Sequence, residues 1–203
     1  MKDGNVKAVI FDLYGTLIFI KNKRNPYRKL VGVNQWAQMR KLVLTDNFSG
    51  INEACGALGI NISPELVVDI ERDIWIEVES VDVYPDSIEI LGWLKNRGYK
   101  LGVISNLATP YKYPFFRLGL DKFLDEYIFS CDVGLVKPSE GIYRMMAERF
   151  GFDSSEILMV GDSIISDVIG SRRAGYDAVL LDRYGNKKTL NRIVLLSELK
   201  KLF

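Results

Sequence analysis

The chain of 203 residues is 48 % hydrophobic, which is enough to bury a sizeable core and excludes a disordered protein. Its 27 lysines and arginines nearly balance 26 aspartates and glutamates, and the net charge of +1 argues against a broad nucleic-acid-binding surface or a polybasic membrane patch. The chain has no histidine, so Ser-His-Asp catalysis, Cys-His catalysis and histidine-ligated zinc are excluded. Any catalysis must use carboxylates, lysine, hydroxyl groups or a hard metal ion.

Two cysteines, Cys55 and Cys131, form no C-x-x-C pair, and we expect reduced, buried thiols in a cytoplasmic protein. The N-terminal apolar run is too short for a signal peptide, and no run approaches the ~20 apolar residues of a membrane span. We therefore expect neither a membrane nor a nucleic-acid partner. No apolar patch stands out from the core pattern, so the sequence predicts no particular oligomeric state.

The first predicted element is a buried strand over residues 9–11 that stops at Asp12, before a turn marked by Gly15 and Thr16. An apolar run followed by turn residues is typical of a parallel strand that ends in a functional loop. Ligands of open α/β sheets bind just beyond the carboxyl ends of such strands. We therefore expect the Asp12 carboxylate to point into a crevice.

Helical periodicity replaces the strand pattern between residues 18 and 81. The predicted helices cover 27–44, 46–58 and 64–79. The last of them has Ser63 as its N-cap and Pro64 at its first position. We interpret 18–81 as a small helical cap inserted into an α/β core made of 1–17 and 82–203. The alternative is that these helices simply pack on the sheet.

Strands and helices alternate again after Pro85. The predicted helices cover 86–96, 110–118, 139–150, 167–174 and 196–203. The predicted strands cover 99–104, 127–129, 156–160 and 178–181. Strands that alternate with helices of about ten residues indicate a doubly wound parallel sheet. We therefore predict an α/β fold with a Rossmann-like core and the small helical cap.

Polar residues stand at the carboxyl ends of three predicted strands: Asp12, Ser105 with Asn106, and Asp162. The carboxyl ends of parallel strands share one edge of the sheet, so Asp12, Asp162 and the nearby Asp167 would converge. Three carboxylates so close cannot all stay ionised without compensation. Lys137, held in a turn before Pro138, would supply one positive charge, and Mg²⁺, which suits oxygen ligands, would supply two more.

Four stretches resemble, in order and in spacing, the four motifs of the haloacid dehalogenase (HAD) superfamily. They read F-D-L-Y-G-T-L, V-I-S-N, V-K-P-S and G-D-S-I-I-S-D. The helical insert after the first motif resembles the cap of one HAD subfamily. The resemblance implies that Asp12 is the nucleophile, that Ser105 binds phosphate and that Lys137 is the lysine of the third motif. In the family, the second acid of the fourth motif, here Asp167, holds that lysine or a metal-bound water.

The resemblance also implies a magnesium site and a phosphate site. Mg²⁺ would be held by Asp12, the backbone carbonyl of Tyr14 and Asp162. The substrate phosphate would contact Ser105, Asn106 and Lys137, together with backbone N–H groups near Tyr14 and Gly15. The function implied is that of a phosphomonoester hydrolase, a Mg²⁺-dependent phosphatase acting on a small phosphorylated metabolite.

Tyr14 departs from this pattern. Phosphatases of the family usually carry an aspartate there, which protonates the leaving group and later activates water. Tyrosine has a pKa of about 10 in isolation and is a poor base at neutral pH. The stretch D-L-Y-G-T-L also resembles the first motif of the 2-haloacid dehalogenases, whose halide leaves without a proton. Those enzymes use no metal and carry a small polar residue in place of Asp162, whereas this chain keeps that acid.

Three hypotheses therefore remain open. The first is the Mg²⁺-dependent phosphatase, and the second is a metal-free 2-haloacid dehalogenase with the same nucleophile. The third is a slow or binding-only HAD protein, in which Tyr14 marks lost turnover. The dehalogenases use a cap arginine for the halide or carboxylate. Arg40 is a candidate for that role, and its other interpretation is a solvated helix arginine.

Overall fold

The computed structural model describes residues 5–30, 35–186 and 192–203. The strands are β1 (Ala8–Phe11), β2 (Ile18–Ile20), β3 (Val81–Val83), β4 (Lys100–Ser105), β5 (Glu126–Phe129), β6 (Ile157–Gly161), β7 (Asp177–Leu181) and β8 (Arg192–Ile193). The α-helices are α1 (Trp36–Thr45), α2 (Ile51–Ala57), α3 (Pro64–Glu79), α4 (Pro85–Asn96), α5 (Tyr113–Arg117), α6 (Ser130–Val133), α7 (Glu140–Phe150) and α8 (Gly170–Arg173).

Six of these strands form one sheet in the order β5-β4-β1-β6-β7-β8, and every neighbouring pair is parallel. The central strand β1 is fully buried along its length. Its side chains alternate between two apolar clusters, with Val9 and Phe11 on one face of the sheet and Ala8 and Ile10 on the other. The predicted doubly wound α/β sheet is confirmed.

The strand order creates a switch point between β1 and β6. From β1 the chain proceeds to β4 and β5 on one side, and it then returns to β6, β7 and β8 on the other. Phe11 lies opposite Val160, and the Asp12 N–H donates to the Val160 carbonyl at 2.9 Å. Asp12 and Asp162 therefore leave adjacent strands at the crevice where this fold class binds its ligands.

A two-stranded antiparallel ladder joins the ends of the inserted segment. Ile18 in β2 lies opposite Val83 in β3. The helical periodicity of the insert predicts no strand at either place, and that prediction is wrong. The apolar run Leu17-Ile18-Phe19-Ile20 is a strand signal, but each strand has only three residues and its partner lies at the far end of the insert, so no local pattern indicates the pairing.

The inserted helices α1, α2 and α3 enclose an apolar cluster of their own. It includes Met39, Ile70 and Val78, all buried. The predicted start of α3 is confirmed, because Pro64 is its first residue and the Ser63 hydroxyl accepts a hydrogen bond from the Leu66 N–H. We propose that residues 18–81, with this separate core, form the cap.

The predicted closing helix is instead a 3₁₀ helix, Leu196–Lys201. Its buried residues, Leu196 and Leu199, are three positions apart, which matches the three-residue turn. The Glu198 carboxylate also accepts hydrogen bonds from the N–H groups of Val194 and Leu195 and so holds the start of the turn.

The helix predicted for 167–174 begins earlier and with wider turns. Ile164–Ile169 forms a π-helical segment, because the Ser163 carbonyl accepts hydrogen bonds from the N–H groups of both Asp167 and Val168. The Ser163 hydroxyl caps this segment by accepting from the Ser166 N–H.

The two thiols, Cys55 and Cys131, are buried and free, as expected. Among the described residues, no helix combines the length and the apolar character needed to cross a lipid bilayer.

Candidate active site

Three carboxylates meet at the switch point of the sheet. Asp12 follows β1, Asp162 follows β6, and Asp167 lies in the π-helical segment just beyond. One carboxylate oxygen from each residue lies within 4.8 Å of the others. Asp12 and Asp167 are buried, whereas Asp162 is half-buried. The loops that follow two adjacent strands thus bring together a compact set of oxygen ligands.

Lys137 bridges two of these carboxylates. Its Nζ atom donates to Asp12 Oδ1 and to Asp167 Oδ1, each at 2.7 Å. The second oxygen of Asp167 accepts from the Ser163 N–H at 2.8 Å. Because the Lys137 side chain is 2 % exposed, water screens these contacts little. The lysine and Asp167 therefore hold the Asp12 carboxylate in one orientation.

Burial dominates the electrostatics of this centre. It raises the pKa of Asp12 from 3.8 to about 7; Lys137 opposes this shift, while Asp167 and Asp162 add to it. Burial alone would lower the pKa of the Lys137 ammonium, but Asp12 and Asp167 outweigh burial and hold that pKa above its ordinary value. Lys137 therefore stays charged at every pH at which Asp12 titrates.

The loop after β4 positions the lysine. The Asn106 side-chain amide donates to the Lys137 carbonyl and accepts from the Lys137 N–H, both at 2.8 Å. These two bonds clamp the backbone that carries the lysine. Ser105, expected to bind phosphate, is buried at the carboxyl end of β4 and 2 % exposed. The Asn106 side chain, expected to contact substrate, is instead hydrogen-bonded to the Lys137 backbone.

Gly15 lies against the acidic cluster. Its φ of +86° is in the region that favours glycine, and a Cβ atom there would stand 2.8 Å from Asp162 Oδ2. A side chain at this position would displace the Asp162 carboxylate. The close approach of the loop after β1 to Asp162 therefore depends on glycine.

The Tyr14 hydroxyl is hydrogen-bonded to a backbone carbonyl. It donates to the backbone carbonyl of Tyr111 at 2.9 Å, in the wall between the core and the inserted helices. Burial raises the pKa of Tyr14 above its ordinary value, and the charge of Glu77 adds to the shift. The hydroxyl is therefore protonated at neutral pH and already committed to an acceptor.

Two contributors to the site were not predicted from the sequence. The Thr16 hydroxyl lies 3.5 Å from Asp12 Oδ2, at the outer limit of a hydrogen bond, and it is fully buried. Thr16 was interpreted only as a turn residue, although its place in the first motif was available as a signal. The backbone carbonyl of Tyr111 accepts the hydrogen bond of the Tyr14 hydroxyl, and no local pattern indicates this contact because the two residues are 97 positions apart.

The doubly wound sheet and the buried aspartate–lysine cluster at its switch point are the features of an α/β enzyme that acts through carboxylate groups. Residues 6–175 match the family model of haloacid dehalogenase-like hydrolases. The chain belongs to this family of hydrolases.

The relatives include both reaction types that the sequence left open. Over 100 residues the chain is 36 % identical to a glyceraldehyde 3-phosphate phosphatase of Methanothermobacter thermautotrophicus, a match that covers 49 % of this chain and 44 % of the relative. Over 109 residues it is 28 % identical to the (S)-2-haloacid dehalogenase 4A of Burkholderia cepacia, with 53 % of this chain and 47 % of the relative covered. The chain thus spans about half the length of the curated relatives it matches.

A solved structure is similar over nearly the whole chain. The HAD phosphatase of Thermococcus onnurineus superposes with a TM-score of 0.69 at 27 % identity, and the match covers 97 % of each chain. The described architecture, including the inserted helices, therefore follows that of a HAD-superfamily hydrolase.

Proposed function

We propose that the chain is a Mg²⁺-dependent phosphatase that hydrolyses a small phosphorylated metabolite through Asp12. The observation that carries this proposal is the convergence of Asp12, Asp162 and Asp167 around Lys137 at the switch point. The three carboxylates outnumber the single Lys137 ammonium, so this centre has an excess of negative charge. An anionic substrate would be repelled there unless a cation is also bound.

The residues present fit a magnesium ion. Carboxylate oxygens that lie within 4.8 Å of one another are the hard ligands that Mg²⁺ prefers. Asp12, Asp162 and the Tyr14 backbone carbonyl would hold the ion. When bound, Mg²⁺ supplies positive charge that offsets both the acidic cluster and the substrate phosphate.

The reaction would proceed by covalent catalysis on Asp12. Its carboxylate oxygen attacks phosphorus, the bond from phosphorus to the alcohol oxygen breaks, and an aspartyl-phosphate forms. Water then attacks this intermediate and releases inorganic phosphate and the free Asp12 carboxylate. Lys137, the Ser105 hydroxyl and the backbone N–H of Tyr14 would stabilise the charge on the equatorial phosphate oxygens. The Gly15 N–H, expected to contact phosphate, donates instead to the Ile18 carbonyl at 2.8 Å.

The leaving alcohol must obtain its proton without an acid at position 14. The Tyr14 hydroxyl already donates its hydrogen bond to the Tyr111 carbonyl. Water is then the proton donor, and esters whose alcohols leave readily should react fastest. Loss of one acid–base group costs roughly 10²–10⁴ in rate, so we expect slow turnover of unactivated alkyl phosphates.

Phosphate release from p-nitrophenyl phosphate and a panel of small phosphorylated metabolites tests the proposal. Each assay compares Mg²⁺ with EDTA, and Asp12→Asn is the inactive control. Release that requires both Mg²⁺ and Asp12 supports a phosphatase. Metal-independent release, or release by Asp12→Asn, would exclude this mechanism.

A second candidate function is the dehalogenation of a 2-haloacid. It is favoured by the orientation of Tyr14, because a halide leaves without a proton and needs no acid there. It is opposed by Asp162 and Asp167, which would repel an anionic haloacid in a metal-free site. Chloride release from 2-chloropropionate in EDTA, with no phosphatase activity, would replace the first proposal. Mg²⁺ binding without either activity would instead identify a binding-only protein.

A further inference from the structure

A wide helical turn brings Asp167 to the acidic centre. At the end of the π-helical segment, the Gly170 N–H donates to the carbonyl of Ile165, five residues back. In an α-helix the same N–H would bond to the carbonyl of Ser166, four residues back. The turn is therefore wider than an α-helical turn at the point where Asp167 contacts Lys137. A backbone carbonyl that loses its α-helical donor in this way needs another one.

Two buried hydroxyl groups donate to the carbonyls on either side of the Asp167 α-carbon. The Tyr143 hydroxyl, from α7, donates to the Ser166 carbonyl. The Ser171 hydroxyl donates to the Asp167 carbonyl at 2.5 Å. Both Tyr143 and Ser171 are fully buried, so water does not compete for these bonds. Ser171 belongs to the helix that follows, whereas Tyr143 reaches the segment from a separate helix.

The Tyr143 hydroxyl lies close to both partners of the buried ion pair. A Cβ atom on Gly170 would stand 2.6 Å from the Tyr143 hydroxyl oxygen and 2.7 Å from Pro138 Cβ. Pro138 directly follows Lys137, and Gly170 lies three residues after Asp167. The hydroxyl is therefore packed beside the loop that carries the lysine and beside the segment that carries its carboxylate partner.

The surroundings of Tyr143 keep its hydroxyl a hydrogen-bond donor. Its ring lies in the apolar cluster on one face of the sheet. Burial raises the pKa of Tyr143 above its ordinary value; the charge of Lys137 opposes this shift, while Asp167 and Asp12 add to it. The hydroxyl is therefore protonated at neutral pH, when the Ser166 carbonyl needs a donor.

We infer that Tyr143 is a positioning residue for the proposed reaction, whose hydroxyl stabilises the wide turn and so keeps Asp167 in contact with Lys137. The inference rests on the proposed function, because Lys137 is the cation that stabilises the transferred phosphate there. Without the hydroxyl, the Ser166 carbonyl would lack this donor and could regain one from the Gly170 N–H. The turn would then narrow, and Asp167 Oδ1 would move away from the lysine.

Tyr143→Phe tests the inference because it removes only the hydroxyl. We expect kcat for p-nitrophenyl phosphate in Mg²⁺ to fall by about tenfold or more, since a small misplacement in a catalytic centre is costly. In an Asp167→Asn background the same substitution should change kcat by less than about twofold, because the residue through which the hydroxyl acts is already lost. A contribution to stability alone would not depend on Asp167.

A second buried tyrosine provides the matched control. Tyr176 is 3 % exposed, and its hydroxyl donates to the Tyr143 carbonyl, within α7, at 2.5 Å. Tyr176→Phe removes an equally buried hydroxyl whose acceptor is not in the Asp167 segment. It should lower the urea midpoint about as much as Tyr143→Phe does and change kcat by less than about twofold. The comparison separates positioning from stability.

Crystal structures of the natural protein and of Tyr143→Phe give a readout that needs no activity. We expect the contact of 2.7 Å between Lys137 Nζ and Asp167 Oδ1 to be lost in the variant. The inference is overturned if that contact persists, if Tyr176→Phe loses as much kcat as Tyr143→Phe, or if the loss is undiminished in the Asp167→Asn background.

Failure of this inference is distinguishable from failure of the proposed function. A protein that hydrolyses p-nitrophenyl phosphate, and whose Tyr143→Phe variant keeps both kcat and the lysine contact, refutes the role of Tyr143 alone. A protein that releases no phosphate but loses the contact in Tyr143→Phe keeps the positioning of Asp167 by Tyr143 and loses the phosphatase.

Discussion

At the scale of single residues, the protonation of Asp12 should control metal binding. Burial raises the pKa of this carboxyl to about 7, so the metal-free protein carries a proton there below neutral pH. Mg²⁺ binding must displace that proton. With this pKa, apparent Mg²⁺ affinity should be about tenfold weaker at pH 6 than at pH 8. Titration calorimetry at the two pH values measures the ratio.

The control for this prediction is Asp12→Asn, which has no proton to displace. We expect the variant to bind Mg²⁺ more weakly than the natural protein at pH 8 and to show almost no dependence on pH. A natural protein whose Mg²⁺ affinity is equal at pH 6 and pH 8 would show that Asp12 does not take part in binding.

The role of Tyr14 can be tested by removing only its hydroxyl. That group donates to the Tyr111 carbonyl and does not reach the acidic centre, so Tyr14→Phe should change kcat for phosphate release by less than about threefold. If Tyr14 were the proton donor, kcat would fall by roughly 10²–10⁴. Steady-state kinetics with Mg²⁺ decides between the two. A loss of that larger size would restore Tyr14 to the chemistry.

The motif residues could be located from the sequence because each stands in a short stretch at the end of a predicted strand or in a turn. The hydrogen bond of the Tyr14 hydroxyl could not be predicted from the sequence, since its acceptor Tyr111 lies 97 positions further along the chain. The contacts of Asn106 could not be predicted either, because its polar side chain could equally have faced a ligand. Its engagement by the Lys137 backbone is known only once β4 and the lysine loop are placed.

At the scale of elements, the last residue of β6 sets the position of Asp167. A Cβ atom on Gly161 would overlap Asp167 Cγ. Gly161→Ala should therefore push Asp167 away from Lys137 and release the lysine from its bridging position. We expect phosphate release to fall by about 100-fold or more, because a displacement of about 1 Å in a catalytic centre has that effect. Steady-state kinetics measures it.

A second glycine provides the control. Gly92 lies within α4, where a Cβ atom would meet open space. Gly92→Ala should leave activity unchanged and raise the free energy of unfolding by about 0.5–1 kcal/mol, because alanine favours helix. Equal activity losses in Gly161→Ala and Gly92→Ala would argue against a specific effect on Asp167.

The sequence predicted elements well where periodicity is local and poorly where pairing is distant. Buried runs such as β1 and β6 are recognisable because both faces of a parallel sheet are covered, which makes every position apolar. The strands β2 and β3 are half-buried and only three residues long, so each is too short to be assigned as a strand from its own sequence. Their pairing follows from the return of the chain after the inserted helices, which no local pattern encodes.

At the scale of the whole molecule, one arginine connects three distant parts of the core. The Arg183 guanidinium, in the loop after β7, donates to both oxygens of Asp86 in α4 at 3.0 and 3.2 Å. It also donates to the carbonyl of Thr16, in the loop that follows β1, at 2.7 Å. The Asp86 carboxylate in turn accepts from the N–H of Leu196 at 2.7 Å. The guanidinium lies over the Tyr84 ring, 3.8 Å from its centroid.

Because the Arg183 side chain is only 8 % exposed, its removal leaves the Asp86 charge buried without its partner. Arg183→Gln should lower the free energy of unfolding by about 3–5 kcal/mol, the range for breaking a buried ion pair. Urea denaturation measures the loss. Asp86→Asn should cost a similar amount, and the double variant should lose less than the sum, since the two residues form one unit.

An exposed ion pair provides the contrast that separates this network from ordinary surface charge. Arg144 and Glu140 pair within α7 with side chains 64 % and 46 % exposed, so Arg144→Gln should leave the urea midpoint nearly unchanged. If Arg183→Gln also left the urea midpoint unchanged, the bridge from α4 to the loop after β1 would contribute nothing to the free energy of unfolding. A large loss in Arg183→Gln beside an unchanged Arg144→Gln would mean that the bridge between α4 and the loop after β1 stabilises the fold from outside the acidic centre.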